Sequence, residues 1–248
     1  MPLTLFCRCE SETQSGTDDY TISGGDTTWT PVSGAVISSD VSFVGTNSFD
    51  FPTSGDYYQL DAANIWNNGA GYTNKIGFAF YIDTWVSGGG LFQCVDSAIG
   101  NNHLNVFMSG TSGSGNITAE LRVAGVSADS VVLTGGLIAL TTWYFLIIDV
   151  DRTNTTITLT LYNASGTQID TQSNTGVGSG SFPTTIDTIR VGEYVGNNVD
   201  THRSNIFMAT NLDEPFLENF NITSYTQYGA VAAAFMPQPN PLQGLIQR

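Results

Sequence analysis

The stretch that decides the fold is Thr141-Thr-Trp-Tyr-Phe-Leu-Ile-Ile-Asp-Val-Asp-Arg-Thr-Asn-Thr-Thr-Ile-Thr-Leu-Thr-Leu-Tyr-Asn-Ala-Ser-Gly-Thr-Gln-Ile-Asp170. It spells a β-hairpin followed by a second turn. The first strand runs from Trp143 to Val150, and the polar turn is Asp151-Arg152-Thr153-Asn154. On the return, Ile157, Leu159 and Leu161 alternate with Thr156, Thr158 and Thr160. Alternation with a period of two predicts a sheet with one buried and one wet face, and the wet face is free to meet a partner.

Working outward, the same signals recur. Leu3, Leu5, Cys7 and Cys9 alternate with Thr4, Phe6 and Arg8 at the start of the chain. Strands are then predicted at Thr30–Ser38, Ser48–Phe51, Tyr57–Leu60, Ile76–Thr84, Gly90–Val95, Leu104–Ser109, Ile117–Val123 and Ser130–Leu133. Beyond the hairpin follow Thr185–Tyr194, Ile206–Thr210 and Leu212–Leu217. Residues 10–28 read as irregular, and 61–69 as a short helix or an excursion around Trp66. Gly110–Gly115 and Gly176–Ser181 read as exposed hairpin tips, because a phosphate cradle needs a following helix and none is legible. Many short strands punctuated by turns imply an all-β, two-sheet antiparallel sandwich of jelly-roll type. We expect one sandwich over residues 1–229 and an extended arm over 230–248, where Pro237, Pro239 and Pro241 accompany Phe235, Met236, Leu242, Leu245 and Ile246.

Composition narrows the function. The chain has 248 residues, 22 of them acidic against 7 basic, for a net charge of −15, and Lys75 is its only lysine. Arg8, Arg122, Arg152, Arg190, Arg203 and Arg248 are scattered singly, so no basic patch is available for a phosphate backbone. Nucleic acid is therefore not an expected partner. Neither a basic segment leading into an apolar signal core nor a membrane-length apolar run is present, so the sequence predicts no secretory signal and no membrane partner. Cys7, Cys9 and Cys94 form no disulfide framework and are read as small packed thiols, since no Cys-x-x-Cys or His pair accompanies them.

Several segments together resemble the concanavalin A-like lectin/glucanase superfamily, in its laminin G-like branch. Ser48-Phe-Asp-Phe51 with Gly55-Asp-Tyr-Tyr-Gln-Leu60 is similar to the opening strand pair, and Ile76-Gly-Phe-Ala-Phe-Tyr-Ile82 to the strand after it. Trp143-Tyr-Phe145 with Asp149, Leu161-Tyr-Asn-Ala-Ser-Gly166, Ile189-Arg-Val-Gly192 and Leu212-Asp-Glu-Pro215 continue the series in order. The resemblance covers most of residues 40–222 and implies a two-sheet jelly roll. Its members serve as lectins, glycosidases, adhesion modules and viral structural proteins, so fold alone does not imply the task.

The candidate chemistry is sparse. A glucanase needs carboxylates at alternate positions of one strand. Glu214-Pro-Phe-Leu-Glu218 has Phe216 at the central place and a proline inside the strand, which points to a closing strand and leaves no catalytic residue assigned. Asp149 and Asp151 share a strand face and could hold Ca²⁺, although Asp and Asn also suit a turn for backbone reasons. No other cofactor is expected. His103 and His202 stand outside any nucleophile motif. Trp29, Trp66, Trp85, Tyr57, Tyr58 and Tyr194 are the aromatic candidates for stacking on sugar rings.

These readings converge on a non-catalytic structural or decoration protein of a virus particle, expectedly a bacteriophage, assembled in the host cytoplasm. Its partners would be other virion proteins or copies of itself, engaged through the arm at 230–248. The alternative is a glycan-binding adhesin or lectin-like module that meets surface glycans. A glycoside hydrolase ranks third.

Overall fold

The computed structural model describes residues 3–7, 20–21, 28–42, 46–53, 55–61, 73–95, 103–123, 126–178, 187–192 and 201–210. They form sixteen strands and no helix. In order these are β1 Leu3–Cys7, β2 Tyr20–Thr21, β3 Thr30–Val32, β4 Val36–Ser38, β5 Ser48–Phe51, β6 Tyr57–Asp61, β7 Thr73–Thr84 and β8 Gly90–Val95. There follow β9 His103–Ser109, β10 Asn116–Val123, β11 Val126–Val132, β12 Trp143–Asp151, β13 Thr156–Asn163, β14 Gln168–Asn174, β15 Thr188–Gly192 and β16 Thr201–Thr210.

The strands make two antiparallel sheets packed face to face. One has seven strands in the order β11-β10-β9-β8-β15-β6-β3. The other has nine, with the path β14-β13-β12-β7-β16-β1-β2. One edge of β16 is shared, since β5 pairs with His202–Ser204 and β1 with Phe207–Thr210, while β4 pairs with β5. The core lies between the sheets. Phe49, Phe51, Phe78, Phe80, Leu146 and Leu159 come from the nine-stranded sheet, and Tyr58, Phe92, Val106, Leu121 and Ile189 from the seven-stranded one. Phe78 meets Phe92 across the gap with ring centroids 5.6 Å apart. No helix long and apolar enough to cross a membrane occurs among the described residues.

β5 and β8 have the predicted bounds, and β13 alternates as expected, with Ile157, Leu159 and Leu161 buried between half-buried threonines. Its partner differs. β12 is apolar on both faces: Phe145 is 0 % and Ile147 8 % exposed although both point away from the core occupied by Leu146 and Ile148. Trp143, on that outer face, packs against Tyr81 with centroids 5.3 Å apart. The hairpin turn also shifts by one residue, because Asp151 still pairs with Thr156 and the turn proper is Arg152–Thr155.

The predicted strand Thr30–Ser38 is two strands belonging to different sheets: β3 pairs with β6 and β4 with β5. Ser33 takes a left-handed φ of 60° and Gly34 follows it, so the chain turns and crosses from one sheet to the other. The excursion at 62–69, the strand predicted at Leu212–Leu217, the boundary at 229 and the arm at 230–248 lie outside the described residues.

Candidate functional site

Strand alternation sorts each residue of the seven-stranded sheet by face. Tyr58 and Leu60, Ile189 and Val191, Phe92 and Cys94, Leu104 and Val106, and Ala119 and Leu121 all enter the core. The residues between them face outward. In the central line of that outer face, the register is continuous across all seven strands. Thr30 stands opposite Gln59, Gln59 opposite Arg190, and Arg190 opposite Gln93. Gln93 stands opposite Asn105, Asn105 opposite Glu120, and Glu120 opposite Ser130. Seven strands thus contribute one residue each to an unbroken polar row.

Contacts hold the row in shape. Nε of Arg190 donates to Oε1 of Gln59 at 3.0 Å, and the guanidinium lies 5.5 Å from the ring centroid of Tyr57. Nε2 of Gln59 donates to Oδ1 of Asp61 at 3.1 Å. Farther along, Arg122 Nε is 3.3 Å from a carboxylate oxygen of Glu120 on the same strand face. The positive and negative side chains are therefore interspersed, and the face carries no strong net charge of its own.

Gln93 is the centre of the row and only 5 % exposed. Its Oε1 has no hydrogen-bond partner among the described residues. A buried carbonyl oxygen without a donor costs about 1–3 kcal/mol, a cost that the fold carries at this position. Tyr57 and Phe107, both half-buried, add aromatic surface beside the row on β6 and β9.

The other candidates fall elsewhere. Trp29 and Tyr58 are wholly buried, packed with Phe49. Trp85 is half-buried against the core; its Nε1 donates to the carbonyl of Gly110 at 3.3 Å, and a Cβ at Gly115 would strike its ring. That contact occupies it in seating the exposed β9–β10 turn. Trp66, Tyr194, Glu214 and Glu218 lie outside the described residues. Of the aromatic candidates among the described residues, only Tyr57 is placed on the outer face of the seven-stranded sheet.

Asp149 and Asp151 are engaged by donors. Asp149 is 3.5 Å from Lys75 Nζ, its register partner on β7. Asp151 Oδ1 accepts from the amides of Thr153 and Asn154 at 2.8 and 2.9 Å, and its Oδ2 from the Asn154 side chain at 2.7 Å. Both act as hairpin residues in this arrangement. Among the described residues, no group of three or more His, Cys, Asp or Glu side chains is placed to hold a metal ion. Cys94 is buried in the core, where desolvation drives its thiol far above the usual range.

Gln93, Asn105, Gln59 and Glu120 were not singled out by the sequence. The available signal was a polar residue inside an apolar strand, as in Leu91-Phe-Gln-Cys-Val95. Its meaning depends on register with strands distant in the chain.

No family model and no curated protein matches the chain. Solved structures do. The binding domain of botulinum neurotoxin serotype D superposes with a TM-score of 0.58 at 13% identity, covering 94% of this chain and 52% of that one. The binding domain of botulinum neurotoxin DC, in complex with SialylT, gives a TM-score of 0.59 at 13% identity, with 94% and 51% covered. This chain thus spans about half the length of those domains. Winged bean acidic lectin, complexed with methyl-α-D-galactose, matches at a TM-score of 0.46 and 15% identity over 73% of this chain and 93% of the lectin. The two toxin domains establish a shared fold, and at such identities only the fold.

Proposed function

We propose that the chain is a non-catalytic, carbohydrate-binding lectin-like module whose binding surface is the outer face of the seven-stranded sheet. The observation that carries this reading is the row Thr30-Gln59-Arg190-Gln93-Asn105-Glu120-Ser130, flanked by Tyr57 and Phe107. Sugars present closely spaced hydroxyls that both donate and accept, and one flank of C–H groups. Amide side chains, a guanidinium and a carboxylate answer the first, and aromatic rings answer the second. The fold shared with a toxin binding domain seen with SialylT supports the same reading.

Glycan-array binding of the full chain tests it. Signal on one or more related glycans that is lost in Arg190→Ala and Asn105→Ala is expected; silence across a broad array would remove the reading. A virion decoration role is a separate proposal, supported by the apolar, proline-bearing arm at 230–248. A module of this kind can serve such a particle by holding surface glycans, and mass spectrometry of purified particles tests that placement.

A further inference from the structure

We infer that the outer face of the nine-stranded sheet is the seat of this chain's own segment 211–248, folded back over β7 and β12 in the same molecule. The face itself supplies the reason. Trp143, Phe145 and Ile147 project there from β12, opposite Tyr81, Ala79 and Gly77 of β7. Phe145 and Ala79 are 0 % exposed, and Trp143 and Ile147 are buried. The outside of a two-sheet sandwich is wet, so a phenylalanine there keeps its upper surface in water unless something lies on it. All sixteen described strands belong to the two sheets, so none of them forms a layer over this face. The burial also has a border. On the same face Thr158 and Thr160 of β13 are half-buried, and Thr171 and Ser173 of β14 are exposed. The cover therefore lies over β7 and β12 and stops short of the edge strand.

The occupant belongs to the chain itself, because the burial is complete within a single copy. Point of departure, reach and composition select 211–248. β16 lies beside β7 and ends with Thr210 opposite Lys75, which stands opposite Asp149 at one end of the apolar strip. From Asp149 to Trp143 is about 20 Å along β12. The 38 residues from 211 to 248 reach on the order of 120 Å when extended. They include Leu212, Phe216, Leu217, Phe220, Ile222 and Phe235, apolar side chains suited to an apolar seat. The rival stretches have other work. Residues 22–27, 62–72, 179–186 and 193–200 each carry the chain from one sheet to the other. Residues 8–19 are polar, with Glu10, Glu12, Asp18 and Asp19 among them. Seated on β7 and β12, the segment closes that apolar strip to outside partners.

The test is photochemical cross-linking of the full chain, with benzoylphenylalanine replacing Trp143, Tyr81 or, as a control on the uncovered edge of the same face, Thr171, one at a time. Tyr81 is only half-buried and tolerates the larger ring, so it carries the test if the change at Trp143 disturbs the fold, as read by circular dichroism. Light and isotopically heavy protein are mixed in equal amounts before irradiation, so that mass separates links within one molecule from links between two. Links within one molecule from position 143 or 81 to peptides of 211–248, at least tenfold more abundant than from position 171, are expected. Links joining light to heavy chains would assign the face to a second copy and overturn the inference. Links only to residues outside 211–248, an equal yield from position 171, or no link from a folded variant would overturn it as well.

Discussion

The amide of Gly34 donates to Oδ1 of Asp56 at 2.6 Å, joining two turns 22 residues apart in sequence. The same carboxylate accepts from the amide and the hydroxyl of Thr53 at 2.7 and 2.8 Å. Asp56 is 0 % exposed and so fixes the point where the chain leaves β3 in one sheet for β4 in the other. Replacing it by Ala strands two backbone donors and should cost about 3 kcal/mol or more, read as a lower urea midpoint; Asp56→Asn should cost less. A loss below about 0.5 kcal/mol would show that the clamp is redundant.

Gly34 is the other half of that clamp. A Cβ there would lie 3.1 and 3.2 Å from the two carboxylate oxygens of Asp56. Gly34→Ala should therefore destabilise by about 1–2 kcal/mol, and Gly34→Ala combined with Asp56→Ala should cost less than the sum of the two. Strict additivity in the double-mutant cycle would contradict the contact.

Gln93 predicts a trade between stability and binding. Removing a buried acceptor that lacks a donor relieves its desolvation cost, so Gln93→Met, of similar volume, should raise stability by about 1 kcal/mol in the free protein. Carbohydrate binding should fall in the same variant. A destabilised Gln93→Met with unchanged binding would mean that the amide serves the fold alone.

Cys94 is sealed in the core and its thiol is held strongly in the neutral form by burial. Alkylation at pH 8 should leave Cys94 unmodified in the native protein and label it only in denaturant, as read by peptide mass mapping. Rapid native labelling of Cys94 would show that the sheets open locally.

Asp170 gives a pH signature. Burial opposes its ionisation, but hydrogen bonds from the Thr134 amide, Gln172 Nε2 and the Thr171 amide outweigh that and hold its carboxyl below the ordinary 3.8. A depressed native value means that its stabilising contribution is complete above the unfolded value, about 3.8, and is lost as pH falls through the lower native one. Asp170→Asn should flatten the acid limb of the stability profile in that window by lowering stability above it, pH 7 included, and change little below it. An unaltered acid limb would remove Asp170 from it.

How far the sequence carried depends on whether a feature is local. The strands Ser48–Phe51 and Gly90–Val95 and the threonine alternation of β13 are local patterns, and they were legible residue by residue. The break at Ser33-Gly34 was not, because its cause includes Asp56, which reaches it only through the fold. Trp29 and Tyr58 read as possible platforms because aromatics look alike in sequence, and their burial follows from the way Trp29, just before β3, and Tyr58 on β6 meet Phe49. The polar row is a long-range object: Gln59, Arg190 and Gln93 become neighbours only when β15 inserts between β6 and β8.

The most direct measurement is a comparison of the two outer faces. Binding of one glycan ligand, chosen from the array, would be titrated against Tyr57→Ala and Asn105→Ala on the seven-stranded sheet and against Thr160→Ala on the nine-stranded one. Thr160 and Thr171 bond to each other at 3.2 Å on that second face and supply a matched control. A binding face on the seven-stranded sheet predicts at least tenfold weaker binding for the first two variants and unchanged binding for the third. Unchanged binding in Tyr57→Ala and Asn105→Ala, or loss only in Thr160→Ala, would contradict it.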